Sequence, residues 1–380
     1  MIPVGNYPMG VAVTLDGKKV YVTNLNDNTV SVIDATKNKV TATIPVGRDP
    51  RGVAVSPDGK RVYVPHPDLG NSMSNNTILI INTATNEVEA AVLVGEFPFG
   101  VAVTLDGKKV YVTNLDNKTV SVIDTATNTV IATIPVGNNP RGVAVSPDGK
   151  WVYVACYEGG NKGIYVIDAV KNKVTATVLV GFFPNAVAVA PDGKRVYVTN
   201  VISDTISVID TATNKVTATI HVGNGPIGVA ITPDGKKVYV VNGGDDTVSV
   251  IDTSTNKVTA TMNVGRNPNS FGQFIGSLQA QPIFPVANFS SNVTEGYAPL
   301  TVKFNDMSQK ATSRIWDFNG DGQLDSSNIN PVYIYANPGT YTVNLTVSNE
   351  NGTDSKTAAI NVLTPSSSSG VSSHSSSSGG

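Results

Sequence analysis

Residues 10–25 read GVAVTLDGKKVYVTNL, and residues 100–115 read the same sixteen letters again. The two copies belong to a longer series. A turn of the form GxxPxG starts at Gly5, Gly47, Gly95, Gly137 and Gly223, with variants at Gly181 and Gly265. Successive turns lie 42, 48, 42, 44, 42 and 42 residues apart. A period of about 40–45 residues that holds several short strands is the mark of a propeller blade.

Each unit reads as four strands. The first is GVAVT, Gly52 to Ser56 in the second unit. The stretch SPDGK follows, and its Asp-Gly pair predicts a two-residue hairpin turn because glycine accepts positive φ. The second strand is VYVTN at Val20 to Asn24, and the third is TVSVID at Thr29 to Asp34. A Thr/Asn turn such as TATNK leads into a fourth, KVTATI. Val, Ile, Tyr and Thr alternate with period two in these stretches, as half-buried strands require.

Side-chain size fits a wedge that narrows toward an axis. Ala12, Ala54, Ala102, Ala144, Ala188 and Ala230 share one place in the first strand. Tyr21, Tyr63, Tyr111, Tyr153, Tyr197 and Tyr239 share one place in the second, where the wedge is wider and a buried ring packs. Six units are complete. MIPVG matches the end of a fourth strand (TIPVG at 133–137), and RNPNSFGQF from Arg266 matches the start of a first. These remnants predict a seventh blade whose middle is missing, in a chain that starts inside a longer parent or at a mis-assigned start.

Composition narrows the function classes. The 380 residues are 40% hydrophobic and 15% charged, with a formal net charge of −2. No Lys/Arg run exceeds two residues, which argues against a nucleic-acid partner. No apolar run is long enough to span a bilayer as a helix, and no secretory signal is visible in MIPVGNYPMG. A single cysteine, Cys156, excludes an internal disulfide and reads as a small buried apolar residue. Three histidines, His66, His221 and His374, are too few for a clustered zinc site.

The strand VYVTN at 20–24, 110–114 and 196–200 resembles the YVTN β-propeller repeat. The stretch IWDFNGDG at 315–322, followed by NPGTYTVNLTVSNENG at 337–352, resembles a PKD domain, an immunoglobulin-like sandwich. Together they are similar to archaeal surface-layer proteins. The expected fold is all-β: a propeller of four-stranded blades over 1–268, a linker over 269–283, a PKD-like sandwich over 284–363 and a Ser/Gly-rich tail over 364–380. Family propellers are usually seven-bladed, which this sequence lacks in full. Trp316 and Tyr341 are expected in the sandwich core.

The resemblance implies a non-enzymatic protein of the extracellular cell envelope, with no required cofactor, meeting neighbouring envelope proteins, surface glycans or its own copies. Two rivals stand beside it. Propellers also host lactonase-like and redox enzymes with a site at the axial mouth, and others serve as monomeric ligand-binding scaffolds.

Three sets of residues are candidates for chemistry. In DFNGDGQLD, Asp317, Asn319, Asp321 and Asp325 fall at positions 1, 3, 5 and 9 of a calcium-loop spacing, with Gly322 at 6 and the Gln323 carbonyl at 7. Position 12 is Asn328 instead of Glu, so a calcium loop and a solvated Asx-rich hairpin both remain open. The DGK and TATNK turns are nearly uniform, whereas the inter-blade turns and the loops between second and third strands differ from copy to copy. Variation confined to one face of a rigid scaffold predicts a partner-binding face near Tyr7, His66, Phe97, Tyr157, Phe182 and Phe183; neutral drift in exposed loops is the rival reading. Six sequons, at Asn75, Asn117, Asn288, Asn292, Asn344 and Asn351, permit glycosylation.

Overall fold

The structure is a computed structural model. It describes residues 2–67, 76–157, 163–270, 272, 274–275, 285–349 and 352–365. The chain divides into two compact units, Met1–Gln279 and Ala280–Gly380.

In the first unit six antiparallel sheets of four strands follow one another, over 8–45, 54–93, 98–135, 140–179, 184–221 and 226–263. Each sheet runs first to fourth strand in chain order. The inner strands pack blade against blade in sequence, Pro8–Val13 on Ala54–Val55 and so on to Pro184–Val189 on Pro226–Ile231. The six alanines at the shared place in the inner strands all line one axial channel. The wedge expectation therefore holds: small residues stand at the axis.

The YVTN letters have separate jobs. The tyrosine of each of the first five blades is packed into the interface with the following blade, as Tyr21 is with Val53, Val62 and Ile81. Burial without a strong partner for its hydroxyl pushes Tyr21 up to about 12. The threonine bridges blades: Thr113 Oγ1 accepts from Gly100 N at 2.8 Å and donates to Arg141 O at 2.9 Å. In blade three the asparagine also holds the turn before its own blade. Asn114 Oδ1 accepts from Gly95 N at 3.1 Å, while its Nδ2 donates to Thr119 and Ser121.

Two local expectations need correction. The inner strand generally starts at the proline, not at the glycine two residues later, and in the second blade it shrinks to Ala54–Val55. The DGK connection is not a two-residue hairpin. Five residues separate Val13 from Lys19, because Asp16 Oδ1 accepts from Lys18 N and Thr14 Oγ1, and Thr14 Oγ1 also accepts from Lys19 N. Gly17 does take positive φ, at 68°, as the Asp-Gly reading required.

The seventh blade is present only as a sliver. Ser270 lies against Gly228 as each inner strand lies against the one before, and a Cβ on Gly272 would stand 2.7 Å from Val11 O. Among the described residues no second, third or fourth strand follows it. Blade six therefore shows water a face that the other blades bury. Met262 is 43% exposed, whereas Ile44, Val92, Ile134, Val178 and Ile220 at the same place are 2–7% exposed. Tyr239 is half-buried where Tyr21, Tyr63, Tyr111, Tyr153 and Tyr197 are fully buried.

The second unit is a sandwich. One sheet joins Phe289–Ser291, Leu300–Asp306 and Val332–Tyr335; the other joins Glu295–Tyr297, Gly352–Leu363, Gly339–Asn349 and Ser313–Asp317. Its core gathers Trp316, Phe304, Phe318, Phe289 and Tyr335 with Val343, Leu345 and Ile360. Trp316 is fully buried as expected, and Tyr341 packs against the core while only partly buried.

Candidate functional site

The face that carries the inter-blade turns is built from the glycine in each PxG. A Cβ there would meet the next blade's backbone: 2.5 Å from Arg51 O at Gly10, 2.8 Å from Phe99 O at Gly52, 2.1 Å from Arg141 O at Gly100 and 2.5 Å from Asn185 O at Gly142. Real Cβ atoms do not approach so closely, so only glycine lets adjacent inner strands come this near. The residue just before each glycine, or before Ala186 in blade five, faces the neighbouring inner strand. Those residues are Met9, Arg51, Phe99, Arg141, Asn185 and Ile227.

They interlock across blades. The Arg51 guanidinium lies 5.3 Å from the Phe97 ring centre and 5.6 Å from that of Phe99. The Arg141 guanidinium lies 5.4 Å from the other neighbour of the pair, Phe99, and 3.7 Å from Tyr157. Arg51 Nη1 approaches Met9 Sδ at 3.7 Å. Arg141 Nη1 donates to Asn185 Oδ1 at 3.2 Å, and Asn185 Nδ2 donates to Ile227 O at 2.7 Å. Tyr157 and Phe183 meet with ring centres 4.8 Å apart. Burial lowers both guanidiniums from the usual arginine value; for Arg141 the neighbouring Arg51 charge lowers it further, against an opposing effect of Tyr157.

Below this ring the axial channel encloses about 470 Å³. Among the described residues its lining is Gly, Ala, Val, Leu, Ile and Pro with a few hydroxyls, and includes no His, Cys, Met, Tyr or charged residue.

The predicted face residues divide. Phe97, Tyr157 and Phe183 come together at the mouth through the contacts above. Tyr7 and Phe182 stand out at 58% and 57% exposure. Phe97, Phe183 and Tyr7 all adopt positive φ, near 55°, at the residue before the proline. That conformation is strained for an aromatic residue. His66 does not join them. It fills the slot that asparagine fills in other blades, so a Cβ on Gly47 would meet its Nε2 at 2.3 Å, just as one on Gly5 would meet Asn24. Cys156 takes the same slot in blade four and is fully buried.

Arg51, Arg141, Phe99, Met9 and Asn185 escaped sequence reading, because GxxPxG directs attention to its fixed letters. The signal was there: the letter between Pro and Gly varies among Met, Arg, Phe, Arg and Ile while its neighbours do not.

In the DFNGDGQLD loop the carboxylates cap the loop's own amides. Asp317 Oδ1 accepts from Gly320 N at 2.7 Å and Oδ2 from Gly322 N at 2.8 Å. Asp325 Oδ2 accepts from Phe318 N at 2.6 Å, Asp321 Oδ1 from Gln323 N at 2.7 Å, and Asn319 Oδ1 from Asp321 N at 3.0 Å. This is Asx-turn geometry. Among the described residues no group of three or more His, Cys, Asp or Glu is placed to hold a metal ion. Of the sequons, Asn117 and Asn292 are exposed, Asn288 and Asn344 are half-buried in the sandwich, and Asn75 and Asn351 lie outside the described residues. His374 also lies outside them.

Three family models match parts of the chain. Residues 279–363 match a PKD domain, residues 174–271 a YNCE-like beta-propeller, and residues 72–180 a Cytochrome D1 heme domain. No curated protein matches. Among solved structures the chain is similar to hydrazine synthase of Kuenenia stuttgartiensis, at 22% identity and a TM-score of 0.63 over 71% of this chain and 90% of that one. That likeness carries the fold. The heme-domain match overturns the expectation of a non-enzymatic envelope protein that needs no cofactor, since it relates blades two to four to a cofactor-carrying domain. The archaeal surface-layer resemblance is not matched in these comparisons. What geometry and comparisons agree on is architecture: the chain is a β-propeller followed by a PKD domain.

Proposed function

We propose that the propeller is a ligand-binding domain whose working site is the axial mouth, and that its ligand is a flat conjugated molecule bearing carboxylates, the tetrapyrrole class to which the heme-domain match points. The observation that carries this reading is positional. The matched stretch, 72–180, contains Phe97, Phe99, Arg141 and Tyr157, four of the residues that meet at the mouth. Aromatic faces suit a conjugated ring, and guanidiniums suit its carboxylates.

Iron is a different matter. Heme iron is held by His, Cys, Met or Tyr. Among the described residues the channel lining offers none of these, His66 is committed to the slot beside Gly47, and His221 is exposed at the end of an outer strand. The Tyr157 ring at the mouth is covered by the Arg141 guanidinium at 3.7 Å, so that a metal there would also meet a fixed positive charge. The one sulfur at the mouth, Met9 Sδ, faces the Arg51 guanidinium, so a metal cation there would meet a fixed positive charge. The residues fit the edge of a tetrapyrrole and do not fit an iron centre bonded to the propeller.

The test is to titrate the full chain with an iron porphyrin dicarboxylate and with its iron-free counterpart, following the main absorption band. The expected result is binding of both with similar affinity. Binding of neither would overturn the reading. Binding of the iron form alone would overturn the part that denies an iron bond.

A further inference from the structure

The mouth holds two cations, 5.6 and 5.4 Å from the centre of one Phe99 ring, and gives them little to neutralise them. Among the described residues no carboxylate lies within salt-bridge distance of either Arg51 or Arg141. Asp49 and Tyr7 act on Arg51 only from a distance. The Nε of both arginines is buried without a hydrogen-bond partner. A buried donor on a charged group left unpaired is costly, and two like charges flanking one benzene ring add to that cost. A chain that keeps both cations there has a use for them.

We propose that Arg51 and Arg141, standing on either side of Phe99, form an oxyanion site for a carboxylate-bearing ligand. Guanidinium is planar and presents its donors in a fork that matches a carboxylate. The walls favour a carboxylate on an organic body over a bare inorganic ion, because the half-buried Phe97 and Tyr157 offer apolar surface beside the cations. Asn185 is a positioning residue. It is 1% exposed, and its two amide atoms are both engaged, one with Arg141 and the other with the next blade at Ile227. The guanidinium of blade four is thereby fixed by blades five and six.

This inference rests on the reading of the mouth as the working site, but does not depend on a tetrapyrrole. It is tested on the full chain by calorimetry at low ionic strength with succinate and, separately, with inorganic phosphate. Succinate is expected to bind at one site, weakening as chloride is added. Arg51→Gln and Arg141→Gln are each expected to lower its affinity about ten-fold or more. Asn185→Asp keeps both arginines but sets a carboxylate beside Arg141, and is expected to abolish binding. An unchanged thermal midpoint establishes that a variant is folded.

No binding of succinate, or binding that survives both arginine changes, overturns the proposal. Phosphate binding tighter than succinate overturns the carboxylate assignment. The porphyrin arm separates the two readings. Succinate binding without porphyrin binding leaves this site standing and removes the tetrapyrrole. Porphyrin binding that is indifferent to Arg51→Gln and Arg141→Gln does the reverse.

Discussion

At the scale of single residues, the glycine before each inner strand's valine sets how near the axis its neighbours come. Gly100 is the tightest case, with a Cβ position 2.1 Å from Arg141 O. The obstruction is backbone, which cannot swing aside as a side chain can. Gly100→Ala is therefore expected to cost about 1–3 kcal/mol by forcing blades three and four apart. Urea unfolding measures it, and a midpoint equal to wild type would refute it. Blade five carries Ala186 at this place, so its interface with blade six already holds a methyl group and Ala186→Gly should change much less. The same residue scale explains His66. A variable letter in a loop looked like part of a contact surface, yet that position belongs to the slot beside Gly47.

At the scale of elements, the turns opposite the mouth are held by aspartates that close their own loops. Asp252 Oδ1 accepts from Ser254 Oγ at 2.6 Å and from the amides of Ser254 and Thr255, which hold its carboxyl at about 2. Asp34, Asp124, Asp168 and Asp210 are lowered in the same way in their blades. A carboxyl whose folded pKa lies below its unfolded value, roughly 3.9, stabilises the fold above that value. The contribution is lost as pH falls through the folded pKa. The thermal midpoint should thus hold from neutral pH to about 4 and fall between about 4 and 2. Blade two uses Asn82 at this place, accepting from Ala84 N at 2.9 Å, so Asp252→Asn should fold. It is expected to flatten the acid limb slightly, and an unaltered limb in melting curves across that range would count against these caps.

At the scale of the whole molecule, the six blades are near copies in sequence but unequal in environment. Ile134 is 2% exposed, sealed by blade four, whereas Met262 at the same repeat position is 43% exposed. Ile134→Ala should cost about 2–5 kcal/mol and Met262→Ala less than about 1 kcal/mol, because only the first leaves a cavity. Denaturant melts of the two variants check this. Equal losses would mean that something covers blade six in solution.

The repeat told most of this in advance. Strand order, blade number, alanines at the axis and tyrosines between blades follow from letters recurring every forty-odd residues, since period-two alternation and turn residues act locally. The sequence by itself determined the wedge and the sandwich after it. Tertiary structure alone decided where the mouth lies, because Arg51, Phe99 and Arg141 are about forty residues apart along the chain. They become neighbours only when glycine lets successive inner strands close on one axis. It also decided that the aspartates of DFNGDGQLD turn inward to cap their own loop. Spacing fixes which oxygens are near each other, and only the folded backbone fixes which amides reach them first.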